Sequence, residues 1–225
     1  MDLSNFLIVI PARAGSKRFK GKNRAILDNK PLICHSIEYA QNLGNIDIVI
    51  STNDSLIKPI AEKYNVPLIW RNEQLSTDYT PTIDVLLDAI NKVDKKYKYI
   101  ILLQPTNPLR PKNIFDDCLE MLSKNEHDSI ISVSKNSLKY GKIDNGIFKP
   151  LNYGFGQRSQ DLDSIFFENG LLYIIPTTIL EKNTIMSENP QALIVNHPFA
   201  SVDIDYEEDL IWAEYLLKKY PNENV

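Results

Sequence analysis

The chain has 225 residues, is 43% hydrophobic and 24% charged, and carries a formal net charge of −4. This balance excludes a general affinity for nucleic acid or an anionic membrane, so any phosphate binding must come from a local cluster of cations. Two cysteines, Cys34 and Cys118, are too few for a disulfide framework and read as reduced thiols of a cytoplasmic protein, and no apolar run approaches the roughly 20 residues that a membrane-spanning helix needs.

Phe6–Ile10 is a continuous apolar, β-branched run, the pattern of a strand buried on both faces. It is too short for a signal segment. A polar, basic loop follows to Asn23. Pro31 then suits the first turn of a helix in which Leu32, Ile33, Ile37 and Ala40 keep helical spacing as far as Gly44. A second strand is expected at Ile46–Ile50, and Asp54 can cap a helix running to Tyr64. Val66–Trp70 reads as a third strand. Pro81 opens a helix through Ile83, Leu86, Leu87 and Ile90, and Tyr99–Leu103 is a fourth strand. Pro111 starts the helix carrying Ile114, Leu119 and Leu122, and Ser129–Val133 is a fifth strand. The regularity breaks over 135–167, where Gly141, Gly146, Gly154 and Gly156 interrupt short mixed segments; an inserted β-rich arm that makes a dimer contact is expected there. Strand signals return at Gly170–Ile175 and Ser201–Ile204. A last helix, Glu207–Lys219, closes a single domain spanning residues 1–225.

Strands alternating with helices predict an α/β fold with a doubly wound, mostly parallel, Rossmann-like sheet. In such sheets the binding crevice lies outside the carboxyl ends of the strands. The segments 11–23, 51–54 and 104–110 each directly follow a strand and are expected to line that crevice.

The first of these segments holds Arg13, Lys17, Arg18, Lys20 and Lys22, with Gly15 and Gly21 permitting close backbone approach. That is the chemistry of a triphosphate cradle, or of a solvated basic turn. Ser16–Asn23 imitates Walker spacing, but it begins with Ser and ends with Asn, which has no hydroxyl for magnesium, so it is not a P-loop. Asp203 and Asp205 stand at i and i+2 in a strand signal, which would put both carboxylates on one face as hard oxygen ligands for Mg²⁺. The alternative is that Asp205 caps the last helix. His35, His127 and His197 have no metal spacing, and Arg110 is expected to organise its loop.

The segment Val9–Lys17 (VIPARAGSK), followed by Lys22 and Asn23, resembles the opening signature of the CMP-sialic acid synthetases, the acylneuraminate cytidylyltransferases. Further matches follow in order: Ser51–Asp54 (STND); Arg71 with Leu75–Asp78 (LSTD), Thr80 and Thr82; Leu102–Arg110 (LLQPTNPLR); Asn169–Tyr173 (NGLLY); and Val202–Asp205 (VDID) with Glu208–Leu210. The resemblance implies transfer of CMP from CTP to the anomeric hydroxyl of a nine-carbon acidic sugar, of sialic or legionaminic type, with release of pyrophosphate. It also implies Mg²⁺, or Mn²⁺ in its place, and a homodimer. It assigns nucleotide contacts to Ala12, Arg13, Ser16, Lys17, Lys22, Asn23, Arg71 and Thr82, with Arg13 and Lys22 also catalytic. Asp203 and Asp205 become metal ligands and catalytic groups, and Gln104, Lys139, Arg158, Gln160 and Asn169 become sugar contacts. The family arginine of the arm falls on Ser159, one residue past Arg158, and Asp163 replaces the usual proline, so this chain departs from the family where the sugar is recognised. Pseudaminic acid or Kdo as acceptor is the alternative within the same chemistry, and a catalytically silent nucleotide-binding protein is the alternative outside it. No residue stands out as a general base.

Overall fold

A run of five apolar residues leaves no side for solvent, and Phe6–Ile10 has none: each of the five is fully buried at the centre of the sheet. The computed structural model describes residues 1–125, 127–221 and 223. Its strands, in chain order, are β1 (Phe6–Pro11), β2 (Ile26–Leu27), β3 (Lys30–Pro31), β4 (Asp47–Thr52), β5 (Leu68–Trp70), β6 (Tyr99–Leu102), β7 (Ile130–Asn136), β8 (Gly141–Asp144), β9 (Ile147–Pro150), β10 (Ile165–Pro176) and β11 (Gln191–Ile194). Its helices are α1 (Leu32–Asn42), α2 (Lys58–Lys63), α3 (Thr82–Asn91), α4 (Ile114–Lys124), α5 (Thr177–Leu180) and α6 (Glu208–Lys219).

Seven strands form one sheet in the order β11-β7-β10-β6-β1-β4-β5. β1 is parallel to β4 and β6, β5 is parallel to β4, and β11 is parallel to β7. β10 alone of the seven runs antiparallel to its neighbours, β6 and β7. The mostly parallel sheet expected from the alternation of elements is what forms. The two faces of β1 sort by the period of two: Phe6, Ile8 and Ile10 pack with Ile33 and Ile37 of α1 and Phe115 and Cys118 of α4. Leu7 and Val9 pack with Leu86 and Ala89 of α3 and with Ile179 and Leu180 of α5. Phe6 also stacks on Tyr99 with ring centroids 4.8 Å apart. Each large aliphatic side chain so buried contributes about 1.5–3 kcal/mol.

Two strands differ from the sequence expectation. The strand expected at Ser201–Ile204 does not form: Pro198–Ser201 is a 3-10 turn, and the chain then runs extended but outside the sheet. Its polar backbone is satisfied by the 104–107 loop instead, for Ile204 N–H donates to Thr106 O at 2.8 Å and the Asn107 side-chain amide donates to Val202 O at 3.0 Å. The edge strand β11 was not expected, because its four residues alternate weakly and follow a stretch of turns. Within 135–167, β7 and β10 extend past the core at both ends, and the middle carries the hairpin β8–β9. Among the described residues no helix is long and apolar enough to cross a membrane.

Candidate active site

The parallel strands β1, β4 and β6 end at the same edge of the sheet, and the loop after each reaches the same cleft. The basic loop is held down at its start by the end of β4. Ala12 N–H donates to Ser51 O at 2.9 Å, Thr52 Oγ1 donates to Ala12 O at 2.5 Å, and Ala14 N–H donates to Asn53 Oδ1 at 2.9 Å. Asn23, buried, ties the far end back by donating to Arg13 O at 3.0 Å. Gly21 takes a left-handed φ of 68° and starts the 3-10 turn Lys22–Arg24, in which Arg24 pairs with Asp54 at 2.8 Å. The 51–54 segment thus fixes the loop's shape.

Arg13, Ser16, Lys22, Asn23, Arg71, Thr82 and Gln104 line one cleft. Ala12 lies buried beneath it, and Lys17 stands at its rim. Two carboxylates bracket the cations. Asp78 accepts from Arg13 at 2.6 Å and from Lys17 at 2.9 Å, and the Lys17 and Arg13 hydrogen bonds hold its carboxyl below the ordinary range. Asp205 accepts from Lys22 at 2.8 Å, across 183 positions of sequence, and also from Arg18. Burial opposes ionisation of Asp205, but the Lys22 and Arg18 contacts outweigh it and lower its pKa. Asp205 does not cap the last helix, whose N-cap is Glu207; Asp209, in the first turn of that helix, accepts from the N–H groups of Asp205 and Tyr206 at 2.8 and 2.7 Å and so holds the preceding segment.

Arg71 is buried among these groups. One guanidinium nitrogen donates to Ser51 O at 3.3 Å, while its Nε finds no partner among the described residues. Burial, with the Arg13 charge second, lowers its pKa to about 10. A desolvated cation with an unused donor is set to take acceptor atoms from a ligand.

A second cavity adjoins the cleft and shares Gln104 and Thr106 with it; Asn169, Gly170 and Asp203 line it too. Desolvation, then the neighbouring Asp205 charge, raise the Asp203 pKa. Val202 and Ile204 turn inward while Asp203 and Asp205 turn outward, so the two carboxylates share a side although no strand forms. Among the described residues no group of three or more His, Cys, Asp or Glu side chains clusters as a metal site.

The scaffold joining the two cavities rests on Arg110, which organises its loop as expected, and on Asn107, which the sequence did not mark. Arg110, fully buried, donates to Leu171 O at 2.7 Å, to Gln104 O at 2.8 Å and to Ser36 Oγ at 3.1 Å, so it organises the loop that presents Gln104. Asn107 donates at 3.0 Å to both Asn169 O and Val202 O, stitching three separate segments together. Asp78 was legible only as part of the LSTD segment; an isolated acid opposite a basic loop was its signal.

Three expected sugar contacts lie elsewhere. Lys139 bonds to Gln157 O and sits 5.1 Å from the Tyr153 ring centroid, Arg158 pairs with Asp161 at 2.7 Å, and Gln160 is exposed on a 3-10 turn. None of the three lines the cleft or the adjoining cavity of its own chain.

Residues 7–152 match a family described as Cytidylyltransferase. The chain is also 35% identical over 229 residues to the CMP-N,N'-diacetyllegionaminic acid synthase of Legionella pneumophila, covering 94% of this chain and 96% of that one. The chain belongs to the cytidylyltransferase family. This cytidylyltransferase is 30% identical over 224 residues to the pseudaminic acid cytidylyltransferase of Campylobacter jejuni, covering 94% of this chain and 96% of that one. It is 30% identical over 214 residues, 91% of its length, to the N-acylneuraminate cytidylyltransferase of Streptococcus agalactiae, and it spans 51% of that longer protein. The structure of a CMP:2-keto-3-deoxy-manno-octonic acid synthetase complexed with CTP superposes with a TM-score of 0.73 at 17% identity, covering 96% of this chain and 99% of that one, so the two share a fold. Family membership makes the protein a nucleotidyltransferase.

Proposed function

We propose that this cytidylyltransferase transfers CMP from CTP to the anomeric hydroxyl of a nine-carbon acidic sugar of sialic or legionaminic type, releasing pyrophosphate. The observation that carries this reading is the meeting of Lys22 with Asp205 at the mouth of a cleft lined by Arg13 and Arg71. A triphosphate entering there displaces the carboxylates now paired with the loop. Arg13, Lys17 and Lys22 then neutralise its phosphates, and they stabilise the charge that grows on the departing pyrophosphate. Arg71, with its unused donor, takes the acceptor edge of the nucleotide, and Asn23 keeps the loop in register. Gln104, at the junction of the two cavities, orients the sugar so that its hydroxyl faces the α-phosphorus; positioning of this kind supplies much of the rate in phosphoryl-type transfer.

Asp203 and Asp205 suit Mg²⁺ or Mn²⁺, since both are oxygen donors, and the pKa of Asp203, raised by burial first and by the Asp205 charge second, marks a carboxylate whose charge a cation would stabilise. Bound there, the ion would supply charge neutralisation for the phosphates and the attacking hydroxyl. The arm exposes Ile143, Ile147, Leu151 and Phe155, which supports a homodimer in which Lys139, Arg158 and Gln160 reach a partner's sugar. The legionaminic reading is supported by the 35% identity to the legionaminic acid enzyme against 30% to both the pseudaminic acid and the N-acylneuraminate enzymes, and Asn169-Gly170 supports the sialic or legionaminic type over the pseudaminic.

Pyrophosphate release and product mass spectrometry with CTP, Mg²⁺ and a panel of acid sugars test the reading. Turnover with a sialic or legionaminic acid is expected. Turnover confined to pseudaminic acid or Kdo would move the substrate, and none with any sugar would leave a silent nucleotide-binding protein. Asp205→Asn is expected to abolish turnover with the fold intact, as checked by circular dichroism.

A further inference from the structure

The cavity beside the nucleotide cleft measures about 460 Å³ and is lined by two charged side chains, Asp203 and Glu168; no lysine, arginine or histidine lines it among the described residues. Asp203 adjoins the cleft through its neighbour Asp205, whereas Glu168 lines this cavity and not the cleft. The Tyr173 hydroxyl, also in the wall, donates to Glu168 Oε2 at 3.3 Å. Burial, then the Glu168 charge, raise the Tyr173 pKa, so the hydroxyl keeps its proton and stays a donor.

Resting on the reading that this cavity takes the acidic sugar, we propose that Glu168, steadied by Tyr173, is a specificity-determining residue. It accepts a hydrogen bond from an N–H or O–H group of the sugar remote from the reacting hydroxyl. A carboxylate at neutral pH accepts and cannot donate, so it selects a donor. An acylamino N–H and a hydroxyl offer the same donor chemistry.

The test compares Glu168→Met, which removes the acceptor at similar volume, with Glu168→Gln, which keeps an acceptor oxygen. Each is assayed by pyrophosphate release with the best acid sugar and with analogues lacking one acylamino or hydroxyl donor at a time. Glu168→Met is expected to raise the sugar KM about tenfold, the effect of one charge-assisted hydrogen bond, with kcat and the KM for CTP held within about twofold. Glu168→Gln should fall between the two. For one analogue the Glu168→Met penalty should vanish, and which analogue it is separates an acylamino from a hydroxyl donor. A penalty of the same size on every analogue, a KM unchanged by Glu168→Met, or an effect on kcat or CTP instead would overturn the inference while leaving the proposed function standing. Absence of turnover by the unaltered enzyme with every acid sugar would overturn both.

Discussion

Replacing Gly170 by alanine should damage the junction between the two cavities far more than the size of a methyl group suggests. Gly170 has a φ of 73°, and a Cβ there would come within 2.6 Å of Asn107 Oδ1. The left-handed conformation costs an L-residue about 1–2 kcal/mol. Asn107 is 2% exposed and cannot swing into solvent, so it must give up its bonds to Asn169 O and Val202 O, each worth about 1 kcal/mol. The sum is a loss of about 3–4 kcal/mol, read from urea denaturation. The double-mutant cycle isolates the cause. In an Asn107→Ala background the clash and the bonds are already gone, so Gly170→Ala should cost only its backbone strain, leaving a coupling of about 2 kcal/mol. Turnover should fall as well, because the same bonds hold Asn169 and the strand-like segment bearing Asp203. A cost below about 1 kcal/mol, or the same cost with and without Asn107, would refute the steric account.

Other expectations follow from single contacts. On the proposed binding of the triphosphate by Arg13 and Lys17, Asp78 is its competitor for both, so Asp78→Asn should tighten CTP binding about threefold by calorimetry, as for weakly held surface ion pairs; unchanged affinity would show that the pairs do not persist in solution. Arg110→Met removes the guanidinium donor from Leu171 O and from Gln104 O, which keeps the Asn107 N–H at 3.1 Å, and should destabilise the protein by about 2–4 kcal/mol in denaturant melts, with the KM for the sugar raised through Gln104. His35 is buried, and desolvation lowers its pKa below the ordinary 6.5. The unfolded chain then takes up the proton more readily, and stability falls as the pH drops through 6.5 toward the folded value. His35→Gln, which can still donate to Leu27 O, should flatten the decline in melting temperature over that window; an unchanged slope would count against it.

Local patterning determined a large part of this protein. The five-residue apolar run at the start forced a central strand, because no other element buries consecutive side chains on both faces so compactly. The alternation that follows specified a parallel sheet, and with it the edge at which loops 11–23 and 104–110 meet. Periodicity has no information about partners distant in sequence. It therefore did not reveal that β10 enters the sheet antiparallel, that β11 adds an edge, or that Val202–Asp205 is held by a loop and not by a strand. The clamp of Asp78 on Arg13 and Lys17, the two bonds of Asn107 and the burial of Arg110 were likewise decided only when the chain closed on itself. A carboxylate's role depends on which charge stands within a few ångströms of it, and for Asp205 that charge is Lys22, brought there by topology across 183 residues.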